Sequence, residues 1–167
     1  MPRRVMAMLV GAMAWAALAA PAHALLCTPF LGCTCTVTPS DVDFGPIQPL
    51  LGQAATATGD IDVQCTGVID IAPAVSAKIG PSLHGPIANR GMQSQSGVLM
   101  PYNLYSSTLY TTILGEGAGG FPRLTISGGL LALGGWTATA HIYGRAPAAP
   151  LATPGDYQDT ITVTIEW

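Results

Sequence analysis

Charge is scarce in this sequence, and positive charge is the scarcest. Charged residues make up 9% of the 167-residue chain, with six Lys or Arg against nine Asp or Glu. Two of the six cations, Arg3 and Arg4, fall in an N-terminal segment that reads as a removable leader. A protein that binds nucleic acid needs a basic patch to neutralise phosphates, and four scattered cations do not supply one. The composition therefore argues against a nucleic-acid partner, and the low charge favours a partner that covers apolar surface.

A membrane-spanning run is also missing. The apolar run Val5–Ala20 is shorter than the roughly 20 residues that a spanning helix needs, and Pro21 ends it. The run follows Arg3 and Arg4 and precedes the small-residue site Ala22-His23-Ala24. This order is typical of a secretory signal peptide, so residues 1–24 are predicted to be cleaved after Ala24. The mature chain, residues 25–167, is predicted to be exported and to contain no membrane span.

A sustained helical period is absent after the leader, and strand patterns replace it. The clearest pattern is the alternation in the last eleven residues, which places six side chains on one face: Tyr157, Asp159, Ile161, Val163, Ile165 and Trp167. Tyr157 follows a turn, and its hydroxyl is expected to bond back to nearby backbone. With 20 Gly and 14 Pro between short apolar runs, the chain is predicted to be an all-β, immunoglobulin-like two-sheet sandwich of six or seven strands. The other strands are predicted at 35–44, 61–65, 75–79, 98–104, 124–126 and 136–143.

Catalytic and cofactor motifs are missing as well. No G-x-S-x-G elbow frames a serine, and neither His84 nor His141 has neighbours that suggest a triad. The glycines of 115–120 match G-x-G-x-x-G in spacing, but Phe121-Pro122 follows where a dinucleotide site needs a helix. Acid pairs such as 41/43 and 60/62 are two residues apart on predicted strands, which places each pair on one solvated face. The sequence therefore predicts no enzyme activity, no catalytic residues, no cofactor and no metal.

Four cysteines remain after the leader: Cys27, Cys33, Cys35 and Cys65. An even number in an exported domain predicts disulfides, and four cysteines allow three pairings. Cys35–Cys65 would join two early strands, and Cys27–Cys33 would then close a small loop. A structural zinc site is the alternative, but its usual C-x2-C pairs are absent and export leads to an oxidising compartment.

Several short motifs resemble the spore coat protein U domain family when they are taken in order. Each motif alone is weak, but together they extend from Cys35 to Trp167. The segments that carry the resemblance are Cys35-Thr36-Val37 with Val42-Asp43-Phe44-Gly45, Gly59–Thr66, Arg90-Gly91-Met92, Leu99–Tyr105, Tyr143–Pro147 and Gly155–Ile165. A tryptophan that the family carries near Ile113-Leu114-Gly115 is absent here.

The resemblance implies a secreted structural subunit of a surface fibre, a pilus or a coat. Such a subunit is an immunoglobulin-like sandwich that lacks its final strand. A periplasmic chaperone lends a strand, and at the outer-membrane usher a neighbouring fibre subunit replaces it, which is donor-strand exchange. The protein would pass through the periplasm to the cell surface, where biofilm formation and cell adhesion are the expected roles. The groove that accepts the strand, and binds the chaperone, is expected beside Ile161, Val163, Ile165 and Trp167.

Two points about position and role stay open at this stage. The domain is predicted to span 35–167, and residues 25–34 form an N-terminal segment, a possible short donor segment. Pro29 makes this segment a poor strand, so either the chain is a poor donor or the signal is cut earlier. A subunit that accepts a strand but does not donate one would sit at a fibre tip. The alternative function is a stand-alone or tip-located adhesin or binding module that uses loops near Tyr102, Tyr105, Tyr110 and Trp136.

Overall fold

The computed structural model describes residues 34–48, 52–71, 73–149 and 152–166. These residues form nine strands and one short 3-10 helix, Ile87–Asn89, so the prediction of an all-β protein is confirmed. The strands are β1 Thr34–Pro39, β2 Ala55–Ile71, β3 Ala74–Ile79, β4 Arg90–Ser94, β5 Leu99–Tyr105, β6 Leu124–Ser127, β7 Leu131–Ala146, β8 Tyr157–Gln158 and β9 Val163–Glu166.

The larger of two sheets has six strands in the order β1-β2-β7-β5-β4-β8, and every pairing is antiparallel. Its centre is the long β2–β7 pair, whose register runs from Ala55 opposite Ala146 to Ile71 opposite Leu131, with one irregularity between Thr66 and Ile69. The predicted strands at 61–65 and 136–143 are the middle parts of this pair. Alternation in β2 and β7 turns one face of the sheet to the core and the other to solvent.

The smaller sheet has three strands in the order β6-β3-β9. Its central strand β3 turns Val75, Ala77 and Ile79 into the core, and each is at most 2% exposed. The two sheets face each other as a sandwich, as predicted. Buried side chains from both sheets form one core: Ile61, Val63, Cys65, Val75, Ala77, Ile79, Met92, Met100, Tyr102, Leu104, Leu114, Ile126, Ala132, Trp136, Ile142 and Ala146.

The first predicted strand is too long. A strand was expected over 35–44, but β1 ends at Pro39, and 40–48 has no regular strand structure. Pro39 has no N–H to donate, and the chain leaves the sheet there. Ser40 holds the chain against β2 at this point, because its N–H donates to the Asp60 carbonyl (2.8 Å) and its Oγ accepts from the Asp60 N–H (2.7 Å). Asp41 and Asp43 therefore do not share a strand face.

The prediction of one continuous last strand is also wrong. Tyr157–Gln158 pairs with β4 in the larger sheet, whereas Val163–Glu166 pairs with β3 in the smaller one. Residues 159–162 cross between the sheets, and the Asp159 carboxylate is bonded there instead of lying on a strand face. The expected backbone bond of Tyr157 is confirmed, since its hydroxyl donates to the Thr153 carbonyl at 2.9 Å.

Some predictions concern residues outside the described ranges. The leader 1–24, residues 25–33 with Cys27 and Cys33, and Trp167 all lie outside them. Within the ranges that the structure does describe, no helix has the length and hydropathy to cross a membrane.

Candidate functional site

A large cleft is lined by residues of both sheets, among them Ile61 of β2 and Ile79 of β3. Its volume is about 1730 Å³, above the roughly 300–1,000 Å³ of an ordinary small-ligand pocket. The segments 39–48 and 152–161 form its two walls, together with Val163. Its floor is mainly apolar and is formed by Ile61, Ile79, Met92, Met100, Tyr102, Leu104 and Ile142. A cleft of this size and composition suits an extended peptide better than a small polar molecule.

The first wall of the cleft packs against two glycines of the larger sheet. Val42 and Phe44 are half-buried and pack against the core from the irregular segment 40–48. A Cβ on Gly144 would lie 2.6 Å from Val42 Cγ1 and 2.9 Å from Phe44 Cζ. A Cβ on Gly59 would lie 2.7 Å from Val42 Cγ2. The absence of side chains at these two positions therefore lets the wall lie directly on the sheet.

The second wall ends in β9, which has a strand partner on one side only. β9 pairs with β3 from Ser76 opposite Glu166 to Ile79 opposite Val163, and within the described part of the chain no strand pairs with its other edge. Ile161 and Val163 line the cleft, and both pack against the core. Ile165 is half-buried against the same core but does not line the cleft. Ile161 and Val163 are thus brought to the cleft together, whereas Ile165 lies beyond it.

A polar contact fixes the crossing segment to the cleft floor. The Tyr102 hydroxyl donates to Asp159 Oδ2 at 2.5 Å, and the Leu83 N–H donates to Asp159 Oδ1 at 3.1 Å. Burial raises the pKa of Tyr102, and the hydrogen bond to the Asp159 carboxylate raises it further. The phenol therefore stays a proton donor, and it joins the larger sheet to the segment that leads into β9.

Arg90 is the buried centre of this region and is 0% exposed. Its guanidinium donates to four backbone carbonyls and one side-chain amide: Gly80 O at 2.7 and 3.1 Å, Ile79 O at 3.0 Å, Leu114 O at 3.0 Å, Ile87 O at 3.5 Å and Asn103 Oδ1 at 2.6 Å. Burial lowers the pKa of Arg90, and the nearby Tyr102, Asp159 and Glu116 oppose that shift. Because Ile79 is the last residue of β3 and Gly80 follows it, Arg90 of the larger sheet holds the end of this strand of the smaller one.

The far end of β9 is held by charge. Glu166 forms ion pairs with Lys78 of β3 and with Arg123, whose Nη1 lies 2.8 Å from Glu166 Oε2. The hydrogen bond from Lys78 is the main cause that lowers the pKa of the Glu166 carboxyl. This cluster is exposed, so solvent screens it and its stabilising effect is small.

A disulfide joins Cys35 of β1 to Cys65 of β2, which lie opposite each other in the sheet register. It secures the edge strand that leads into the first wall of the cleft. In the described ranges no three His, Cys, Asp or Glu side chains come together in a way that suits a metal ion. His141 lies on the solvent face of the larger sheet, where its Nδ1 is 2.6 Å from Asp60 Oδ1. His84 lies in a turn that is distant from His141 in the sequence.

Sequence reasoning missed the residues that hold the cleft together. Arg90 and Asp159 were noted only as parts of family motifs, and Tyr102 only as a residue near a possible binding loop. Tyr102 is instead 7% exposed and Trp136 8% exposed, so neither offers a free aromatic surface, whereas Tyr105 and Tyr110 are half-exposed. One signal was available: a lone Arg that opens an apolar strand in a chain this poor in charge is expected to be buried with partners.

Comparisons with known proteins identify a family and a similar fold. The profile of the family described as "Spore Coat Protein U domain" matches residues 22–164. No curated protein is a significant match to the chain. Among solved structures, the chain resembles one chain of the CsuC–CsuE chaperone–tip adhesion subunit pre-assembly complex from the archaic chaperone–usher Csu pili of Acinetobacter baumannii, with a TM-score of 0.54 and 16% identity. The match covers 81% of this chain but only 40% of the solved one, so it supports the fold.

Proposed function

Because the chain belongs to the spore coat protein U domain family, we propose that it is a structural subunit of a surface fibre or coat that is assembled by donor-strand exchange. One observation carries the proposal: the unpaired edge of β9 borders a large apolar cleft between the sheets. An unpaired edge strand that borders an open apolar cleft offers a template with which another chain can pair. A strand supplied by a second polypeptide satisfies both the backbone groups and the apolar floor.

We infer from the cleft where that strand would lie. It would enter between the wall 40–48 and β9, and its backbone would hydrogen-bond to the free edge of β9. Alternate side chains would then point to the floor at Met92, Met100 and Leu104. Each apolar side chain that is fully buried there contributes about 1.5–3 kcal/mol, while a whole domain is stable by only about 5–15 kcal/mol. A few such contacts are enough to decide whether the subunit stays folded.

Other edges of the sandwich are less suited to this role. β1 has exposed threonines and ends in Pro39, features that discourage pairing with another strand. β8 has only two residues, and no residue of β6 lines the cleft. β9 is the edge that combines a free side with the apolar cleft, and for this reason we place the acceptor groove at Ile161 and Val163. Ile165 flanks it, and Trp167 is assigned to the same groove from the sequence alone.

The partners follow from this mechanism. A periplasmic chaperone would supply the first strand, and a neighbouring fibre subunit would replace it at an outer-membrane usher. The similar solved structure is titled as a chaperone–tip adhesion subunit pre-assembly complex, which supports a chaperone as the first partner. We retain the leader 1–24, the short segment 25–34, the domain 35–167 and a Cys27–Cys33 bond as parts of the proposal. The role is structural, without catalysis, and it places the protein at the cell surface after transit through the periplasm.

A tip-located adhesin is the second candidate. One observation favours it: Tyr105 and Tyr110 are in contact on the solvent face of the larger sheet, where a strand in the cleft would not cover them. That surface is compatible with the first proposal, because a fibre tip subunit accepts a strand and also binds a target.

Co-expression with and without a periplasmic chaperone tests the proposal. The wild-type chain should aggregate or be degraded alone and be recovered as a one-to-one complex with the chaperone. Val163→Asp places a charge in the cleft and should abolish recovery of the complex. Thr164→Asp places the same charge on the exposed side of the same strand and should leave recovery unchanged. A lone wild-type chain that folds into a closed, long-lived monomer would contradict the proposal.

A further inference from the structure

A second pocket lies on the opposite face of the larger sheet from the cleft. β5 and β7 place Tyr105 opposite Tyr143, and Asn103 opposite Arg145. The 3-10 helix covers Asn103, whose Nδ2 donates to Ile87 O (3.1 Å) and Ala88 O (3.0 Å). What remains is a hollow of about 320 Å³, lined by Ala88, Asn89, Pro101, Tyr105, Ile113, Arg145 and Pro147 among others. This volume is at the small end of ligand sites and fits one ring.

Arg145 distinguishes this hollow electrostatically. The described residues contain four Lys or Arg: Arg90 is buried among carbonyls, and Lys78 and Arg123 are paired with Glu166. Arg145 is exposed, and among the described residues no carboxylate lies within 4 Å of it. No acidic residue lines the hollow either. In this acidic protein, the hollow is therefore a local positive site, and the Arg145 guanidinium there is not paired with a carboxylate of the described residues.

The surrounding side chains are held in place before any ligand arrives. The Arg145 guanidinium carbon lies 5.4 Å from the Tyr110 ring centre, and the Tyr105 and Tyr110 rings meet edge to face at 5.5 Å. The 106–112 loop is closed by bonds from Ser106 N to Thr112 O (3.2 Å) and from Tyr110 N to Ser107 O (3.1 Å). These contacts order the 106–112 loop and place the Tyr110 ring against Arg145, so this part of the site needs less ordering on binding.

Tyr110 supports a binding role through its backbone. Its φ of +52° is the only positive value at a non-glycine residue among the described residues. This conformation is unfavourable for a bulky side chain, and such strain is concentrated at ligand-binding and active sites. Here it turns the Tyr110 ring under the Arg145 guanidinium.

We propose that this hollow, lined by Arg145, Tyr105, Asn89 and Ile113 and with Tyr110 against Arg145, binds a sugar unit that bears a carboxylate, as in an acidic polysaccharide. A single guanidinium fork suits a carboxylate, which it binds through two parallel hydrogen bonds. The apolar faces of Tyr105 and Ile113 suit one face of a ring, and the Asn89 amide supplies a donor and an acceptor for hydroxyls. The inference does not depend on strand exchange, because the cleft lies on the other face of the sheet.

Binding of glucuronate and glucose oligosaccharides of equal length tests the proposal. The purified full chain, or its chaperone complex if it is recovered as one, is titrated with each by calorimetry. Glucuronate should bind at least tenfold more tightly than glucose. Arg145→Gln should remove this preference, and Arg145→Lys should keep only part of it because a lysine lacks the fork.

Arg123→Gln is the matched control, since it removes the same charge from another exposed site and should change glucuronate affinity by less than twofold. Four results would overturn the proposal: no glucuronate binding by the wild type, equal binding of glucose, full binding by Arg145→Gln, or an equal loss in Arg123→Gln. Binding of a poly-glutamate peptide as tight as that of glucuronate would also overturn it, because the site would then recognise negative charge without the sugar ring.

Discussion

The two sheets end in edge strands that are held in different ways. β1 of the larger sheet pairs with β2 over six residues and is tied to it by the Cys35–Cys65 disulfide. β9 of the smaller sheet pairs with β3 over four residues and is held by an exposed ion cluster at Glu166. The β1 edge is fixed by a covalent bond, whereas the β9 edge beside the cleft is held by weak, reversible ion pairs. This difference suits a domain in which one edge must persist and the other must accept a strand.

The largest expected effect comes from completing the weaker sheet. An alternating apolar strand fused after Trp167 through a Gly/Ser linker should fold into the cleft and make the chain stable without a chaperone. Three inward side chains contribute roughly 5–9 kcal/mol at about 1.5–3 each, before the cost of ordering the strand. Denaturant unfolding measures the gain. The same fusion with serines at the inward positions is the control, and equal stability of both fusions would contradict the model of an open sheet.

Removing the link between the two sheets should have the next largest effect. Arg90→Met leaves the carbonyls of Ile79, Gly80 and Leu114 buried without a donor, so unfolding free energy should fall by about 3–5 kcal/mol. Thermal unfolding of the strand-fused protein measures this. Arg123→Gln, at an exposed site, should change stability by less than about 0.5 kcal/mol. A loss below 1 kcal/mol for Arg90→Met would show that Arg90 does not join the sheets.

Opening the covalent edge should cost slightly less. Replacing Cys35 and Cys65 together by serine removes a cross-link across a sequence separation of 30 residues. The expected loss is about 3–4 kcal/mol from the greater freedom of the unfolded chain. Chemical denaturation of the double variant, compared with the oxidised wild type, checks it. If the variant matches the wild type in stability, the contrast between the two edges fails.

The first wall of the cleft should respond to a single methyl group. Gly144→Ala brings a Cβ against Val42 and Phe44 and should displace this wall, with a loss of about 1–3 kcal/mol. Gly129→Ala is the control, because nothing lies within 4 Å of its Cβ position. Differential scanning calorimetry distinguishes them. Equal midpoints for the two variants would mean that segment 40–48 does not rest on the sheet as described.

The smallest effect concerns the fastening of β9 and its dependence on pH. The folded-state pKa of Glu166 is lowered, so its contribution to stability is present above the usual value of 4.5 and is lost as the pH falls through the lowered value. The midpoint difference between wild type and Glu166→Gln should therefore be small at pH 7 and vanish in acid. Glu116→Gln serves as the control. A difference that grows on acidification would have the wrong sign for this mechanism.

The strand pattern was predictable because it is local. Alternation in 61–65, 75–79 and 136–143 gave the central strands, and the two-sheet class followed from their number and spacing. The bond of Tyr157 to backbone was also predictable from the turn before it. The ends of the first and last strands were not, since Pro39 and the Asp159 contacts with Tyr102 and Leu83 act through partners distant in sequence.

The candidate site was foreseen only in part. Ile161 and Val163 were identified from alternation, which shows that they share a face but not that the face borders an open cleft. The roles of Arg90 and of the pair Gly59 and Gly144 depend on atoms from four or more segments, which no periodicity reveals. Binding loops had been expected near Tyr102 and Trp136, but both side chains are buried in the core.

The sequence by itself determined the composition and the local structure of this protein: short β-branched and apolar strands, few charges, paired cysteines and no catalytic motif. Local hydrogen bonding and side-chain periodicity depend on residues that are close in sequence, so they can be predicted from the sequence alone. The tertiary structure alone decided that the last segment crosses between sheets, that β9 is left with a free side and that Arg145 stands unpaired beside two tyrosines. Those features arise from which surfaces meet and which do not, and that depends on packing across the whole sandwich.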